Sequence, residues 1–185
     1  VLEACKHMKL SSANSINIGR LLPQIVYYFD SYAKLVNRGD IQLGDFVNFV
    51  VPSGNFGNIL AGYLAKQLGL PVKKLVCASN SNNVLTDFIR TGTYNANRAF
   101  MPTISPSMDI LVSSNLERLL FLLSNHDDVL INQYMDSLKK DGHYTISEDL
   151  RQRLQESFAA YDCSEDACKK VIHDTFHKEH ILIDP

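Results

Sequence analysis

The chain has 185 residues, 45% hydrophobic and 21% charged, with a formal net charge of -2. That is enough apolar material for one globular core, so one domain over residues 1–185 is expected. The near-neutral balance gives no electrostatic case for nucleic acid or an anionic membrane, and no apolar run nears the ~20 residues needed to cross a bilayer. Cys5, Cys77, Cys163 and Cys168 lack a zinc-ligand spacing; they read as free thiols of a cytoplasmic protein, with no metal site. Taken in order, Leu2 to Leu10 reads as a helix end, and Asn14 or Asn17 as the cap of the next helix. That helix is expected from Ile18 to about Val36, with Pro23 kinking it or marking a late start and Asn37-Arg38-Gly39-Asp40 ending it.

Phe46 to Val51 is rich in β-branched and aromatic residues, which suits a buried strand. Pro52 has no N–H to donate and is expected to stop it. Ser53-Gly54-Asn55-Phe56-Gly57-Asn58 follows as a tight turn. From Asn58 the spacing of Ile59, Leu60, Tyr63, Leu64 and Leu68 becomes helical. A strand, a glycine turn and a helix N-terminus make a natural anion cradle. The first N–H groups of a helix lack intrahelical partners, the helix dipole is positive there, and Gly54 and Gly57 remove side-chain bulk. The amides of Asn55 and Asn58 add uncharged donors. On spacing alone the same stretch reads equally well as an ordinary strand-to-helix turn. It is neither G-x-G-x-x-G nor G-x-x-x-x-G-K-[ST], so nothing supports a dinucleotide or a nucleoside triphosphate.

Gly69-Leu70-Pro71 ends that helix, and Lys74 to Ala78 reads as a second buried strand. Ser79-Asn80-Ser81-Asn82-Asn83 lies at that strand's carboxyl end, before a helix from Val84 to Arg90. Two strands each followed by a helix predict an α/β fold, a parallel βαβ sheet with flanking helices, with ligands at the carboxyl ends of the strands. The Ser79 to Asn83 loop is either solvated or part of such a pocket. Thr91 to Ser107 reads as long and irregular, and Leu116 to Leu123 as a short helix. His126, Asp127 and Asp128 read as a helix cap rather than a metal site. Val129 to Lys140 and Ser147 to Ser157 read as helices, and Phe158 to Tyr161 as a short strand. A last helix is expected over Glu165 to Lys178, with Ala167, Val171, Ile172 and Phe176 inward. His173, His177 and His180 read as exposed, since no third metal ligand stands near.

The wording of the central stretch says more than its spacing. VPSGNFGNILAG resembles the cofactor-phosphate loop of the threonine synthase family, which uses pyridoxal 5'-phosphate. The likeness extends to Ser11-Ser12-Ala13-Asn14-Ser15-Ile16-Asn17-Ile18-Gly19-Arg20 and on through Tyr28 before the loop, and to Ala61 through Pro71 and Ser105-Pro106-Ser107-Met108-Asp109 through Asn115 after it, in the family's order.

The resemblance implies part of a fold-type-II pyridoxal-phosphate enzyme that converts O-phosphohomoserine and water to threonine and phosphate. Gly54, Asn55, Phe56, Gly57 and Asn58 match the cofactor-phosphate loop residue by residue, with backbone donors carrying the binding. Asn14, Ser15 and Arg20 are implied as substrate contacts, Arg20 through charge-assisted bonds, against the reading of Arg20 as a solvated surface residue. The resemblance also places Ser105 to Asp109 near the cleft, where the residues alone read as a strand-entry turn. The family's Schiff-base lysine stands in a Phe-Lys-Asp context well before the loop. Lys6, Lys9 and Lys34 precede the loop here without that context. The chain is therefore expected to be an internal fragment, its cofactor-bearing lysine outside it, with the remainder of the parent chain as its partner. Two alternatives stay open: a related pyridoxal-phosphate lyase of threonine dehydratase or cysteine synthase type, and a non-catalytic phosphate-binding or scaffold domain.

Overall fold

The structure is a computed structural model describing residue 14 and residues 16–185. The Leu2 to Leu10 helix end, Cys5 and Ser15 lie outside the described residues. The first helix breaks at Pro23, as the missing N–H of proline requires. It is built as α1 (Ile18–Leu21), a 3-10 turn (Leu22–Gln24) and α2 (Ile25–Arg38). Asn17 is its cap, its Oδ1 accepting from the Gly19 N–H at 2.8 Å. Gly39 closes α2 at φ 78°, the left-handed conformation that favours glycine.

Strand β1 (Val47–Pro52) leads through the glycine turn into α3 (Gly57–Gln67), which returns the chain to β2 (Val72–Ser79). β1 and β2 pair in parallel, with Val51 opposite Cys77 and Pro52 opposite Ala78. After α4 (Val84–Thr91), α5 (Leu116–Leu123), α6 (Asp128–Asp141) and α7 (Glu148–Ser157), β5 (Phe158–Asp162) joins the other side of β2, also in parallel. The sheet order is β1-β2-β5, and α8 (Glu165–Glu179) follows. Phe56, Ile59, Leu60, Leu75 and Phe158 belong to the core, which includes α3 and this sheet. The parallel βαβ expectation holds.

Three expectations are corrected. β1 is an edge strand, not a fully buried one. Among the described residues its only partner is β2, so Val50 is 68% exposed while Val51 is buried, and Phe46 lies before the strand at 73% exposed. Pro52 occupies the last rung of the ladder instead of lying beyond it, which an edge strand tolerates. Second, the Thr91 to Ser107 stretch is not wholly irregular: β3 (Thr93–Asn95) pairs antiparallel with β4 (His143–Thr145). There the Tyr94 and Tyr144 rings stack with centroids 5.3 Å apart. Third, α8 buries none of its residues; Val171 and Phe176 are about half exposed, because the apolar positions of α8 find no cover among the described residues.

Candidate functional site

The glycine turn lies at the carboxyl end of β1, and hydrogen bonds from three directions hold it. At its base the Ser53 hydroxyl donates to Asn58 Oδ1 at 2.9 Å, and Asn58 Nδ2 donates to the Pro52 carbonyl at 2.9 Å. Asn58 Oδ1 also accepts from the Ile59 N–H at 2.8 Å. The Asn58 side chain is thus engaged in closing its own loop, so it is not left as a donor for a ligand, unlike the backbone N–H groups of the turn. From the α2 side, the Tyr28 hydroxyl donates to the Asn58 carbonyl at 2.7 Å. Burial pushes the pKa of that hydroxyl up and keeps it a donor. Gly62 admits the Tyr28 ring: a Cβ at Gly62 would stand 2.6 Å from it.

From the third side comes the segment before α5. The Ser113 hydroxyl donates to the Gly54 carbonyl at 2.9 Å. Both the N–H and the Nδ2 of buried Asn115 donate to the Asn55 carbonyl, at 3.2 and 2.9 Å. All peptides among the described residues are trans. Anchoring those carbonyls therefore turns the N–H groups of Asn55 and Phe56 away from the anchoring segment. The N–H groups of Asn55, Phe56, Gly57 and Asn58 meet no acceptor among the described residues. They stand at the N-terminus of α3, where the helix dipole is positive.

The left-handed residue of the turn is Phe56, at φ 63°; neither Gly54 nor Gly57 has a positive φ. Phe56 is fully buried and its ring lies 5.6 Å from that of Phe158. Gly54 is needed for a different close approach. A Cβ there would meet Met108 Cα at 3.2 Å, so the Ser107-Met108 backbone occupies the space that a side chain would need.

Gly54 to Asn58 line a cavity of about 270 Å³ together with Arg20, Leu21, Gln24, Pro52, Ser107 and Met108. The structure thus brings Arg20 to the loop across the sequence. Asn14 is not in this lining; it is exposed, and its Oδ1 accepts from the Ile16 N–H at 3.2 Å in a local turn. Ser15 lies outside the described residues. Ser79 and Asn80 line a separate, neighbouring cavity of about 160 Å³ with Ser105 and Met108. Met108 lines both cavities, and the next residue, Asp109, is held by four hydrogen bonds. Its Oδ1 accepts from Asn80 Nδ2, Asn82 Nδ2 and Thr103 Oγ1 at 2.8, 2.9 and 2.7 Å, and its Oδ2 accepts from the Thr103 N–H at 2.8 Å. Burial alone would raise the Asp109 pKa; the donors from Thr103, Asn80 and Asn82 outweigh it and hold the carboxyl below its ordinary value.

No protein-family model matches the chain. Curated relatives do. The chain is 49% identical over 177 residues to threonine synthase-like 1 of Homo sapiens, covering 95% of this chain and 24% of the relative. It is 38% identical over 193 residues to threonine synthase of Saccharomyces cerevisiae, covering 97% and 37%. Among solved structures, the PLP-bound threonine synthase of Brucella melitensis superposes with a TM-score of 0.90 at 40% identity, covering all of this chain and 38% of that one.

This chain matches a segment of the threonine synthase family. It spans about a quarter to two fifths of the length of these threonine synthases and their relative. Within that segment, the anchoring residues Ser113, Asn115 and Tyr94 are those that sequence reasoning missed. Tyr94 supports Ser113 by accepting from its N–H at 2.8 Å and donating to the Leu111 carbonyl at 3.0 Å. The polar run Ser113-Ser114-Asn115 before an apolar helix reads as a cap in sequence. The burial of Asn115 marks it as something more, and only the tertiary structure shows that burial.

Proposed function

We propose that this chain is the cofactor-phosphate-binding part of a threonine synthase, acting on O-phosphohomoserine in a longer protein. The observation that carries the proposal is the loop itself. The N–H groups of Asn55, Phe56, Gly57 and Asn58 are without acceptors among the described residues, on a backbone that follows a PLP-bound threonine synthase at a TM-score of 0.90. These groups fit a phosphate: no acid stands between Ser53 and Asn58, the helix dipole is favourable, and Arg20 adds a cation to the same cavity. In this reading Gly54 to Asn58 hold the phosphate of pyridoxal 5'-phosphate, and Arg20, with Asn14 and Ser15 on the same segment, faces the substrate. The cofactor, when bound, supplies an electron-withdrawing ring. The residues of this chain hold and orient its phosphate. Among the described residues no lysine lines the cavity, and in this reading the cofactor-bearing lysine is contributed by the remainder of the parent chain.

No helix among the described residues is long and apolar enough to cross a membrane. Cys77, Cys163 and Cys168 are free thiols, which fits a reducing cytoplasm. The identity to a relative named threonine synthase-like 1 exceeds that to the yeast synthase, so the substrate is the part of the proposal to test first. The full-length protein should release phosphate from O-phosphohomoserine in the presence of pyridoxal phosphate, and Gly57→Ala should lose cofactor before it loses fold. Tight cofactor binding without phosphate release would move the reading to a related pyridoxal-phosphate lyase. Cofactor content unchanged by Gly57→Ala would remove the loop from the site.

A further inference from the structure

The two walls of the loop cavity come from distant parts of the chain, and one guanidinium joins them. Asn115, which anchors the Asn55 carbonyl, accepts through its own Oδ1 from Arg118 Nη1 at 2.5 Å. The other arm of that guanidinium, Nη2, donates to the Ile16 carbonyl at 2.5 Å, across a separation of 102 residues. Ile16 directly precedes Asn17, the cap of α1, and Arg20 lies within α1. The connection runs from the Asn55 carbonyl through Asn115 and Arg118 to the start of the helix that carries Arg20. Arg118 itself lies outside the loop cavity; it lines a groove between α5 and α6 with Phe121, Asp128 and Met135.

From this geometry we infer that Arg118 is a positioning residue: it fixes Arg20 relative to the anion loop, so that the two walls of the cavity act as one. The inference rests on the reading of this cavity as the phosphate end of the site. Arginine suits the task because its planar fork serves two acceptors at fixed separation, here an amide oxygen and a main-chain carbonyl. A lysine ammonium at the same place is a point charge on a flexible stem and cannot hold both acceptors in that fixed geometry. Charge alone therefore does not replace it.

A double-mutant cycle on the full-length holoenzyme tests this, with inorganic phosphate as the probe. Arg20→Gln and Arg118→Met should each weaken phosphate binding on the order of tenfold, and the double variant should be no weaker than Arg20→Gln within about threefold. Arg118→Lys should keep the melting temperature of the wild type and still show the weakened phosphate binding, an outcome that packing or charge alone does not produce. Multiplying effects, with the double variant weakened about a hundredfold, would overturn the inference while leaving the cavity's anion reading intact. Unchanged phosphate binding in Arg118→Met would overturn it as well. If Arg20→Gln alone left phosphate binding unchanged, the substrate reading of Arg20 would fail and the inference with it. Cofactor retention, measured in the same samples, reports separately whether the loop still holds its own phosphate.

Discussion

Phe56 sits where the backbone needs a left-handed residue, and it carries a side chain that the core needs. Its φ is 63°, it is fully buried, and its ring packs 5.6 Å from Phe158. For an L residue the left-handed region costs roughly 1–2 kcal/mol. Truncation of a buried phenylalanine costs about 3–5 kcal/mol. Phe56→Ala removes the ring and keeps the Cβ, so it should lose the full truncation cost with the backbone strain unrelieved. Phe56→Gly loses the same ring but relieves the strain, against a glycine entropy cost of about 0.5–1 kcal/mol. The glycine variant should therefore be at least as stable as the alanine variant, by about 0–1.5 kcal/mol. At an ordinary helical position the order is the reverse, with alanine ahead by about 0.5–1 kcal/mol. The sign of the difference reports the backbone conformation. Urea unfolding followed by far-UV circular dichroism measures it. An alanine variant more stable than the glycine variant by about 0.5–1 kcal/mol, as at an ordinary helical position, would refute a left-handed Phe56 and with it the orientation of the loop's N–H groups.

Gly62→Ala would place a Cβ 2.6 Å from the Tyr28 ring and 2.8 Å from a Leu75 methyl. Overpacking of about 1–3 kcal/mol should outweigh the helix-propensity gain of about 1 kcal/mol, and displacing Tyr28 should disturb its bond to the Asn58 carbonyl; a raised melting temperature would contradict this packing. Asp109 has its pKa lowered in the folded state, so the stability it contributes is present above the ordinary carboxylate value and is lost as the pH falls below about 4. Asp109→Asn should flatten that acid limb of the stability profile, and an unchanged acid limb would assign the loss to other carboxylates. The 185-residue chain alone should not release phosphate from O-phosphohomoserine faster than free pyridoxal phosphate does, and borohydride should trap no single lysine in it stoichiometrically. Stoichiometric trapping of one lysine, with turnover abolished by its replacement, would make the chain a self-sufficient enzyme.

The central unit was legible because its signals are local. Strand, proline, glycine turn and helix lie within residues 46–64, and each is written in composition or period. What supports the unit was illegible because it is remote. Ser113 and Asn115 reach the loop from 59 and 60 residues away, and Arg118 reaches Ile16 across 102. The strand carrying Tyr94 has three residues, too few to show a period of two. Its place is set by stacking on Tyr144 and by hydrogen bonds with the Leu111 carbonyl and the Ser113 N–H. The inward expectation for α8 failed for a related reason: an amphipathic pattern states that a face wants cover, not that these residues supply it.

The loop's conformational signal was readable yet misleading. Two glycines flank Asn55-Phe56, and in sequence they read as removing side-chain bulk around an anion. At Gly54 the bulk removed is that of a Cβ that would stand 3.2 Å from Met108 Cα, and the left-handed turn falls on a phenylalanine held by burial. The same division separates Arg20 from Asn14. Asn14 spends its side-chain oxygen on the N–H of Ile16, two residues away, in a turn that any sequence of this kind can make. Arg20 lies one helical turn further on, in α1, and lines the loop cavity. The family resemblance implied both residues as substrate contacts. The structure separates them because the Asn17 cap starts the helix that carries Arg20 to the loop, and Asn14 precedes that cap.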